Sequence, residues 1–351
     1  MKVLISDPSG YKAIVIAKQL KRYYPNTEIL GLETKKLLKI YSKYFSRVIT
    51  YNIDSLFKSN MKALLYQEGV SLLLITNSDE LLKIFRLNDL ELNSLIGYNS
   101  LDDFEALNNK ALLAKLCSSL NISAPSTLKA VQAKIDKSYV AKPILGSSSK
   151  GVIYFLPLSL ESKKELMELS ADQFIIQEYI EGFAAGLSVY AKNGEIFSLY
   201  SHKRLLEYPV SGGSSVYRCG YHNDEMMEIA KRLLNATKWT GFAMFEFKVT
   251  KSGNPFLIEV NPRIWGSINQ GLANGVNYFE CILGESVTKI YNAKEIRTYL
   301  SPIIYKSLFK SLMKGKFYST FNFLSNFRVN RADVSFFDDP FGFLSMLLRK
   351  L

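Results

Sequence analysis

Residues 256–267, FLIEVNPRIWGS, have the pattern of a buried strand that ends in polar and charged side chains. Alternate residues of a strand share a face, so Glu259 and Asn261 are predicted to point the same way, about 6–7 Å apart. Pro262 cannot donate a ladder hydrogen bond and forces a turn. Arg263 is therefore expected at the mouth of the strand.

The preceding stretch, GFAMFEFKVT at residues 241–250, shows the same alternation. A short turn at residues 252–254 separates the two runs, which predicts an antiparallel hairpin with Glu246 beside Glu259. Two ionised carboxylates about 4 Å apart repel by roughly 4 kcal/mol at an effective dielectric near 20. A shared proton or a hard cation would compensate this repulsion, and two acids with the amide of Asn261 suit Mg²⁺. The alternative is two half-exposed strands with unrelated polar faces.

Length and composition describe an ordinary globular chain. Its 351 residues predict two or three domains, and 48% hydrophobic and 22% charged residues are typical values. Three cysteines without metal spacing fit a reducing cytoplasm. The start, MKVLISD, is predicted as a strand and not a cleavable leader. The sequence contains no run of about 18 apolar residues that would span a bilayer.

The net charge of +12 invites a nucleic-acid partner, but the basic residues are spread along the chain and no nucleic-acid motif accompanies them. We therefore expect no nucleic-acid partner. An anionic small molecule or an anionic membrane surface explains the charge equally well.

Residues 1–97 alternate predicted strands with predicted helices. Strands are expected at 2–7, 27–32, 47–51 and 71–76, with helices at 11–23 and from an Asp54 N-cap to residue 68. This pattern predicts a small doubly wound α/β domain. Only Ser9-Gly10 follows the first strand where a dinucleotide fold would carry G-x-G-x-x-G, which disfavours NAD.

The middle of the chain carries two candidate anion sites. Lys142 lies in the strand YVAKP, directly before the Gly/Ser loop LGSSSKG, whose backbone N–H groups could wrap phosphate oxygens. His202, Lys203 and Arg204 follow a predicted hairpin and precede a second Gly/Ser loop at residues 211–215. An ordinary edge strand and an ordinary solvated turn are the alternatives.

The order of these pieces resembles the ATP-grasp superfamily over about residues 1–285. Lys110 on a helix is followed by VAKP, the Gly/Ser loop, IIQEYIEG, a hairpin, FEF and EVNPR. The block SHKRLLEYPVSGGSS with EVNPRIWGS resembles the carboxylate–amine ligase-like members associated with surface polysaccharide or peptide-conjugate synthesis. The resemblance implies an N-terminal doubly wound α/β domain and two α+β subdomains whose antiparallel sheets clamp ATP.

Three domain ranges follow from this resemblance: an N-terminal domain at 1–97, an ATP-grasp domain at 98–285 with a lid subdomain at about 125–180, and a basic, aromatic helical tail at 286–351. The resemblance also implies the ATP contacts, which are Lys110, Lys142, Gly146, Ser147, Ser148, Gln177, Glu178, Tyr179 and Ile180. It assigns one or two Mg²⁺ ions, with Mn²⁺ as a substitute, to Glu246, Glu259 and Asn261.

The implied activity is an ATP- and Mg²⁺-dependent ligase that joins a small-molecule carboxylate, such as a uronic acid or an amino acid, to an amine. Arg263, Lys203 and Arg204 are its expected catalytic residues, and no protein nucleophile is needed because phosphoryl transfer depends on charge and alignment. A nucleotide-binding or regulatory protein without turnover is the alternative, and a homodimer is compatible with either. Residues 183–187, FAAGL, lack the acid that many members use for the ribose.

The last 66 residues, 286–351, are rich in Phe and Lys. Such pieces either pack onto the core or lie on a membrane surface, which would place a cytoplasmic protein at the inner face of the membrane.

Overall fold

A computed structural model provides the structure of this protein. It describes residues 1–34, 40–51, 61–87, 89, 92, 96–98, 101–146, 149–209, 213–280, 282, 289–290 and 296–348.

The N-terminal domain is a parallel sheet with helices, as the alternation of elements predicts. Its strand order is β3-β2-β1-β4 in the described part of the domain. The elements are β1 (Lys2–Ser6), α1 (Tyr11–Tyr23), β2 (Glu28–Glu33), β3 (Arg47–Thr50), α2 (Met61–Glu68), β4 (Leu72–Leu74) and α3 (Ser78–Phe85). The apolar run at β4 is fully buried, as expected for a parallel strand covered on both faces. The predicted N-cap, Asp54, lies outside the described residues.

Two consecutive helices connect this domain to a small antiparallel subdomain. They are α4 (Leu101–Asn108) and α5 (Lys110–Ser119), and Lys110 lies on a helix as expected. The small sheet has the order β5-β8-β6-β7. Its elements are β5 (Thr127–Leu128), β6 (Tyr139–Pro143), β7 (Ile153–Phe155), α6 (Leu160–Glu168) and β8 (Phe174–Glu178). This subdomain, which we call the lid, has a hydrophobic core of its own around Tyr139, Phe155 and Leu166.

A large, mainly antiparallel sheet forms the third part, with the order β13-β12-β9-β10-β11-β15-β16 and β14 beside β10. Its strands are β9 (Phe183–Lys192), β10 (Glu195–Tyr208), β11 (Ser214–Gly220), β12 (Gly241–Val249), β13 (Pro255–Asn261), β14 (Lys289–Ile290), β15 (Arg297–Tyr299) and β16 (Asn330–Ala332). The predicted fold class, an α/β domain followed by two subdomains with antiparallel sheets, is confirmed.

The N-terminal domain and the large sheet share one continuous hydrophobic core. Helices α7 (Asp224–Thr237) and α8 (Ile268–Ala273) contribute buried side chains to it. Aromatic rings dominate the centre, where Phe242 contacts Trp265 and Tyr98 contacts Trp239 at centroid distances of 6.1 and 5.8 Å. Because the core is continuous, the N-terminal domain is held against the end of the large sheet.

The segment predicted as a helical tail is built into the large sheet through β15 and β16. Its helices are α9 (Ile303–Met313), α10 (Phe317–Ser325) and α11 (Pro340–Leu348). A buried ion pair joins Arg218 of β11 to Asp333, directly after β16. Among the helices that the structure describes, none combines the length and the apolarity that a bilayer-spanning segment needs.

Candidate active site

The acidic hairpin forms as the alternation predicts. Strands β12 and β13 are antiparallel, and their register places Glu246 directly opposite Glu259. Cross-strand partners point to the same face of a sheet, so the two carboxylates lie side by side. Asn261 Nδ2 donates to Glu246 Oε1 at 3.1 Å and to Glu259 Oε1 at 3.3 Å. The predicted pairing is confirmed, and the three side chains form one cluster.

Two protein cations border this cluster. Arg204 Nη2 lies 2.5 Å from Glu246 Oε2, and Lys110 Nζ lies 3.6 Å from Glu259 Oε2. Burial raises the pKa of Glu246, the charge of Arg204 opposes that shift, and the charge of Glu259 adds to it. The cluster therefore holds its negative charge only with cations close by.

The first of two cavities at the cluster has a volume of about 420 Å³ and lies between the lid and the large sheet. Lys110 and Lys142 line it. Lys110 is the first residue of α5, whose N-cap Asn109 accepts from the N–H groups of Ala111 and Leu112. Lys110 Nζ donates to Gly146 O at 3.1 Å. The helix cap thus fixes the lysine at the start of the Gly/Ser loop.

Lys142 lies on β6 and is only 8% exposed. Its Nζ donates to Gln177 Oε1 at 2.9 Å. Burial lowers the pKa of Lys142 to about 8, Glu259 opposes this shift, and Lys110 adds to it. The ammonium group is consequently held in the cavity with one neutral partner and a reduced affinity for its proton.

Both ends of the Gly/Ser loop line this first cavity. Gly146 and Ser149 line it, and Ser147 and Ser148 lie outside the described residues. Gly151 has a φ of +72°, and a Cβ there would lie 2.9 Å from Pro143 Cγ. Glycine is therefore required where the loop turns back into β7.

The segment from Gln177 to Ile180 contains four of the ATP contacts that the resemblance implies. Tyr179 lines the first cavity and packs edge-on against Tyr154, with a centroid distance of 6.4 Å. The side chain of Gln177 is buried against Lys142, Glu178 is exposed, and Ile180 is half-buried. The structure thus brings Tyr179 to the cavity wall and makes Gln177 a partner of the lysine.

The second cavity, of about 310 Å³, lies between the N-terminal domain and the end of β13. Arg263 lines it and is held at three atoms. Its Nε donates to Ser78 Oγ at 2.6 Å, its Nη2 to Asn261 Oδ1 at 2.7 Å, and its Nη1 to Ile264 O at 3.1 Å. The guanidinium group thereby connects α3 of the N-terminal domain to the metal-binding candidate Asn261.

The two cavities share a wall. The residues that line both are Ser149, Arg204, Gly213, Glu246 and Glu259. A group bound beside the two lysines and a group bound beside Arg263 would therefore meet at the acidic cluster.

Of the three consecutive basic residues, the structure brings Arg204 alone to this wall. Arg204 contacts Glu246 and also Glu207, at 3.3 Å. Lys203 points to the opposite face of β10, where its Nζ lies 3.8 Å above the centroid of the Phe183 ring. Neighbouring residues of a strand point to opposite faces, so Lys203 and Arg204 cannot serve one site together.

His202 is buried beneath the sheet surface and lines neither cavity. Burial, and then the charges of Arg204 and Arg218, lowers its pKa well below the usual value. A Cβ at Gly186 would lie 2.6 Å from His202 Cε1, so the imidazole fills the space that this glycine leaves. His202 is therefore a neutral packing residue.

In the second Gly/Ser loop, Ser211 and Gly212 lie outside the described residues. Gly213, Ser214 and Ser215 line the second cavity. The loop is therefore next to Arg263 and the acidic cluster, as its position after Arg204 in the sequence suggested.

Several cavity residues were not predicted. The N-terminal domain supplies Tyr11, Lys12 and Asp79 to the second cavity, and Glu207, Lys248 and Lys316 line the first. Lys248 was detectable, because it shares a strand face with Glu246 two residues earlier. Glu207 depends on register shifts within β10, and the others depend on contacts between distant parts of the chain.

The donor set fits a hard divalent cation. Glu246 and Glu259 offer paired carboxylates, and Mg²⁺ usually takes one or two carboxylates together with substrate phosphates. Asn261 would bind a cation through Oδ1, which here accepts from Arg263, so its amide must turn over to serve as a ligand. No group of three or more His, Cys, Asp or Glu side chains with metal-binding geometry occurs among the described residues.

Residues 107–267 match the family model of the ATP-grasp domain. The structure resembles L-amino acid ligase from Bacillus licheniformis with a TM-score of 0.60, 15% identity, and coverage of 84% of this chain and 75% of that one. Biotin carboxylase from Campylobacter jejuni, crystallised as a β-γ-ATP complex, gives a TM-score of 0.63 and 13% identity, with 84% of this chain and 74% of that chain covered.

The biotin carboxylase domain of the Hydrogenobacter thermophilus 2-oxoglutarate carboxylase gives a TM-score of 0.62 and 13% identity, with 82% of this chain and 70% of that chain covered. That structure is a domain dimer in complex with MgADP, ADP and bicarbonate. No curated protein matched the chain in sequence. The fold is the ATP-grasp fold.

Proposed function

We propose that this protein is an ATP-dependent ligase that activates a carboxylate as an acyl phosphate and joins it to an amine. The observation that carries the proposal is the wall shared by the two cavities, with two lysines on one side, Arg263 on the other and the paired carboxylates between them. A γ-phosphoryl group and an acceptor carboxylate could meet there in line.

In the proposed reaction the first cavity binds ATP, and we call it the nucleotide cavity. Lys110 and Lys142 hold the phosphates, and the loop from Gly146 to Gly151 covers them and excludes water. Tyr179 lies against the base, where the backbone of residues 177–180 supplies polar contacts. Lys248, which pairs with Ala184 across the β9–β12 ladder, and Lys316 also line this cavity.

Arg263 holds the acceptor carboxylate in the second cavity, which we call the acceptor cavity. A carboxylate oxygen attacks the γ-phosphorus, the bond to the β–γ bridging oxygen breaks, and ADP leaves. The amine then attacks the carbonyl carbon of the acyl phosphate, loses a proton, and expels inorganic phosphate. Charge neutralisation and alignment carry such a transfer, so no protein nucleophile is assigned.

Glu246, Glu259 and Asn261 would hold one or two Mg²⁺ ions, which when bound neutralise phosphate charge during the transfer. Arg204 forms an ion pair with Glu246 between the cavities, and its charge opposes the rise that burial causes in the pKa of Glu246. The MgADP complex of the Hydrogenobacter thermophilus domain supports this choice of cofactor.

The proposed carboxylate is a uronic acid or an amino acid, and surface polysaccharide modification is the proposed setting. The similarity to the L-amino acid ligase supports an amino acid. Lys12 and Asp79 of the N-terminal domain line the acceptor cavity and give it both charges, which suits a substrate that carries an ammonium and a carboxylate.

A nucleotide-binding protein without turnover is the second candidate. Its supporting observation is that Arg204 and Lys110 each form an ion pair with one of the two glutamates.

A screen for phosphate release separates the two candidates. The purified protein is given ATP and Mg²⁺ with uronic acids and amino acids, each combined with a panel of amines. A ligase releases phosphate only when both partners are present, and Glu259→Gln abolishes that release. Tight ATP binding by calorimetry without release from any pair would favour the binding protein.

A further inference from the structure

Helices α9 and α10 form a hairpin that leaves large apolar side chains in water. Tyr305, Phe309 and Met313 follow i, i+4 spacing along α9, and Phe317, Phe321 and Leu324 follow i, i+4, i+7 spacing along α10. All six are between 55% and 73% exposed. We call this apolar stripe, with the basic residues around it, the hairpin surface.

The hairpin is attached to the core on its other side. Ile304 and Leu308 of α9 are buried against Leu206 and Val216, and none of the residues of α10 is fully buried. Phe323 alone packs its ring against Tyr217, at a centroid distance of 5.3 Å. Contiguous exposed apolar patches that exceed those of ordinary protein surfaces mark interaction sites, and six large side chains contribute to this one.

The charge around the stripe selects the partner. Residues 296–332 contain seven Lys and Arg and no Asp or Glu, so this segment supplies more than half of the net charge of +12. Lys306, Lys314 and Arg328 are exposed beside the stripe. Aromatic side chains ringed by cations suit the headgroup region of an anionic bilayer, where the rings enter the interface and the cations meet lipid phosphates.

Self-association through this surface is disfavoured. A two-fold dimer would bring the same patch of both copies together, and each patch carries the cations of a segment, 296–332, whose sequence contains no Asp or Glu. We propose that the hairpin surface docks the protein on anionic lipid bilayers. The turn between the helices supplies Lys316 to the nucleotide cavity, so docking would place that cavity beside the membrane.

Co-sedimentation of the full chain with vesicles tests the proposal. We expect binding to phosphatidylcholine vesicles that contain phosphatidylserine, little binding to pure phosphatidylcholine, and weakening by salt. The triple variant Phe309→Gln, Phe317→Gln, Phe321→Gln removes apolar contacts, and Lys306→Gln with Lys314→Gln removes charge. Each should lower vesicle binding by about tenfold or more.

Phe337→Gln is the matched control, because Phe337 is 97% exposed but lies outside the hairpin. Thermal unfolding of each variant verifies that it is folded. Absence of wild-type binding to the anionic vesicles, or equal binding by the triple variant, overturns the proposal. Light scattering that shows a dimer lost in the triple variant, without vesicle binding, would overturn it in favour of self-association.

Discussion

Arg263 Nε donates a hydrogen bond of 2.6 Å to Ser78 Oγ, which joins the mouth of β13 to the first residue of α3. This contact places the end of β13 against the N-terminal domain and holds the guanidinium group at the second cavity. The N-terminal domain therefore acts as one wall of the site and as the support of its arginine.

We expect Arg263→Lys to raise the KM for the acceptor carboxylate by at least about tenfold, because a lysine cannot reproduce the fixed guanidinium fork. The affinity for ATP should change little, since Arg263 does not line the nucleotide cavity. Ser78→Ala leaves the guanidinium in place with one partner fewer and should have a smaller effect. Steady-state kinetics with each substrate varied separately provides the measurement.

Glu259→Gln should lower turnover by roughly 10²-fold or more, because it removes one of two charges that hold a cation at the transferring phosphoryl group. The fold should persist, since the amide is isosteric with the carboxylate. Glu195→Gln, an exposed substitution at the first residue of β10, is the control for charge loss alone. Wild-type turnover by Glu259→Gln would contradict the proposed metal role.

The antiparallel hairpin was predictable because period-two alternation and a three-residue turn set a local register. That register pairs Phe247 with Leu257 and would place Glu246 opposite Ile258, but a shift between Glu246 and Phe247 advances the pairing by one residue to Glu259. Strand alternation also separates Lys203 from Arg204, which the resemblance implies as catalytic residues of one site. Glu207 escaped prediction for a different reason. Register shifts in the pairing of β10 with β11 between Arg204 and Glu207 bring these residues, three apart, into contact.

The second cavity could not be derived from local patterns. Its walls come from the starts of α1 and α3 and from the end of β13, which meet only because one core joins the N-terminal domain to the large sheet. The strands β15 and β16 could not be predicted from local sequence patterns either. Each is three residues long, and its pairing partners are distant in the sequence.

Lys316→Ala should weaken ATP binding by a few-fold, because the side chain is one of several cations that line the nucleotide cavity and is exposed to solvent. Lys314→Ala is the matched control, since Lys314 is exposed in the same turn and does not line that cavity. Calorimetric titration with ATP measures both. Equal affinities of the two variants would remove Lys316 from the site.

Asp333→Asn should lower the free energy of unfolding by about 3–5 kcal/mol, because it leaves the buried charge of Arg218 without its anion. Arg218 is fully buried and also donates to Thr298 Oγ1 at 2.8 Å, so it cannot turn toward water. Asp172→Asn is the exposed control. Urea unfolding of both variants gives the comparison, and equal midpoints would show that the pair contributes little.

The lowered pKa of Lys142 predicts that ATP binding depends on pH. Burial lowers its pKa to about 8, so the ammonium group is charged below pH 8 and loses its proton as the pH rises above it. If the charged form is the one that holds phosphate, affinity should fall by about tenfold between pH 7 and pH 9, in proportion to the protonated fraction. Lys142→Arg keeps its charge over this range and should bind ATP with little dependence on pH. Calorimetry at three pH values compares the ATP affinity of the wild type with that of Lys142→Arg. The same pH dependence in both proteins would assign it to another group.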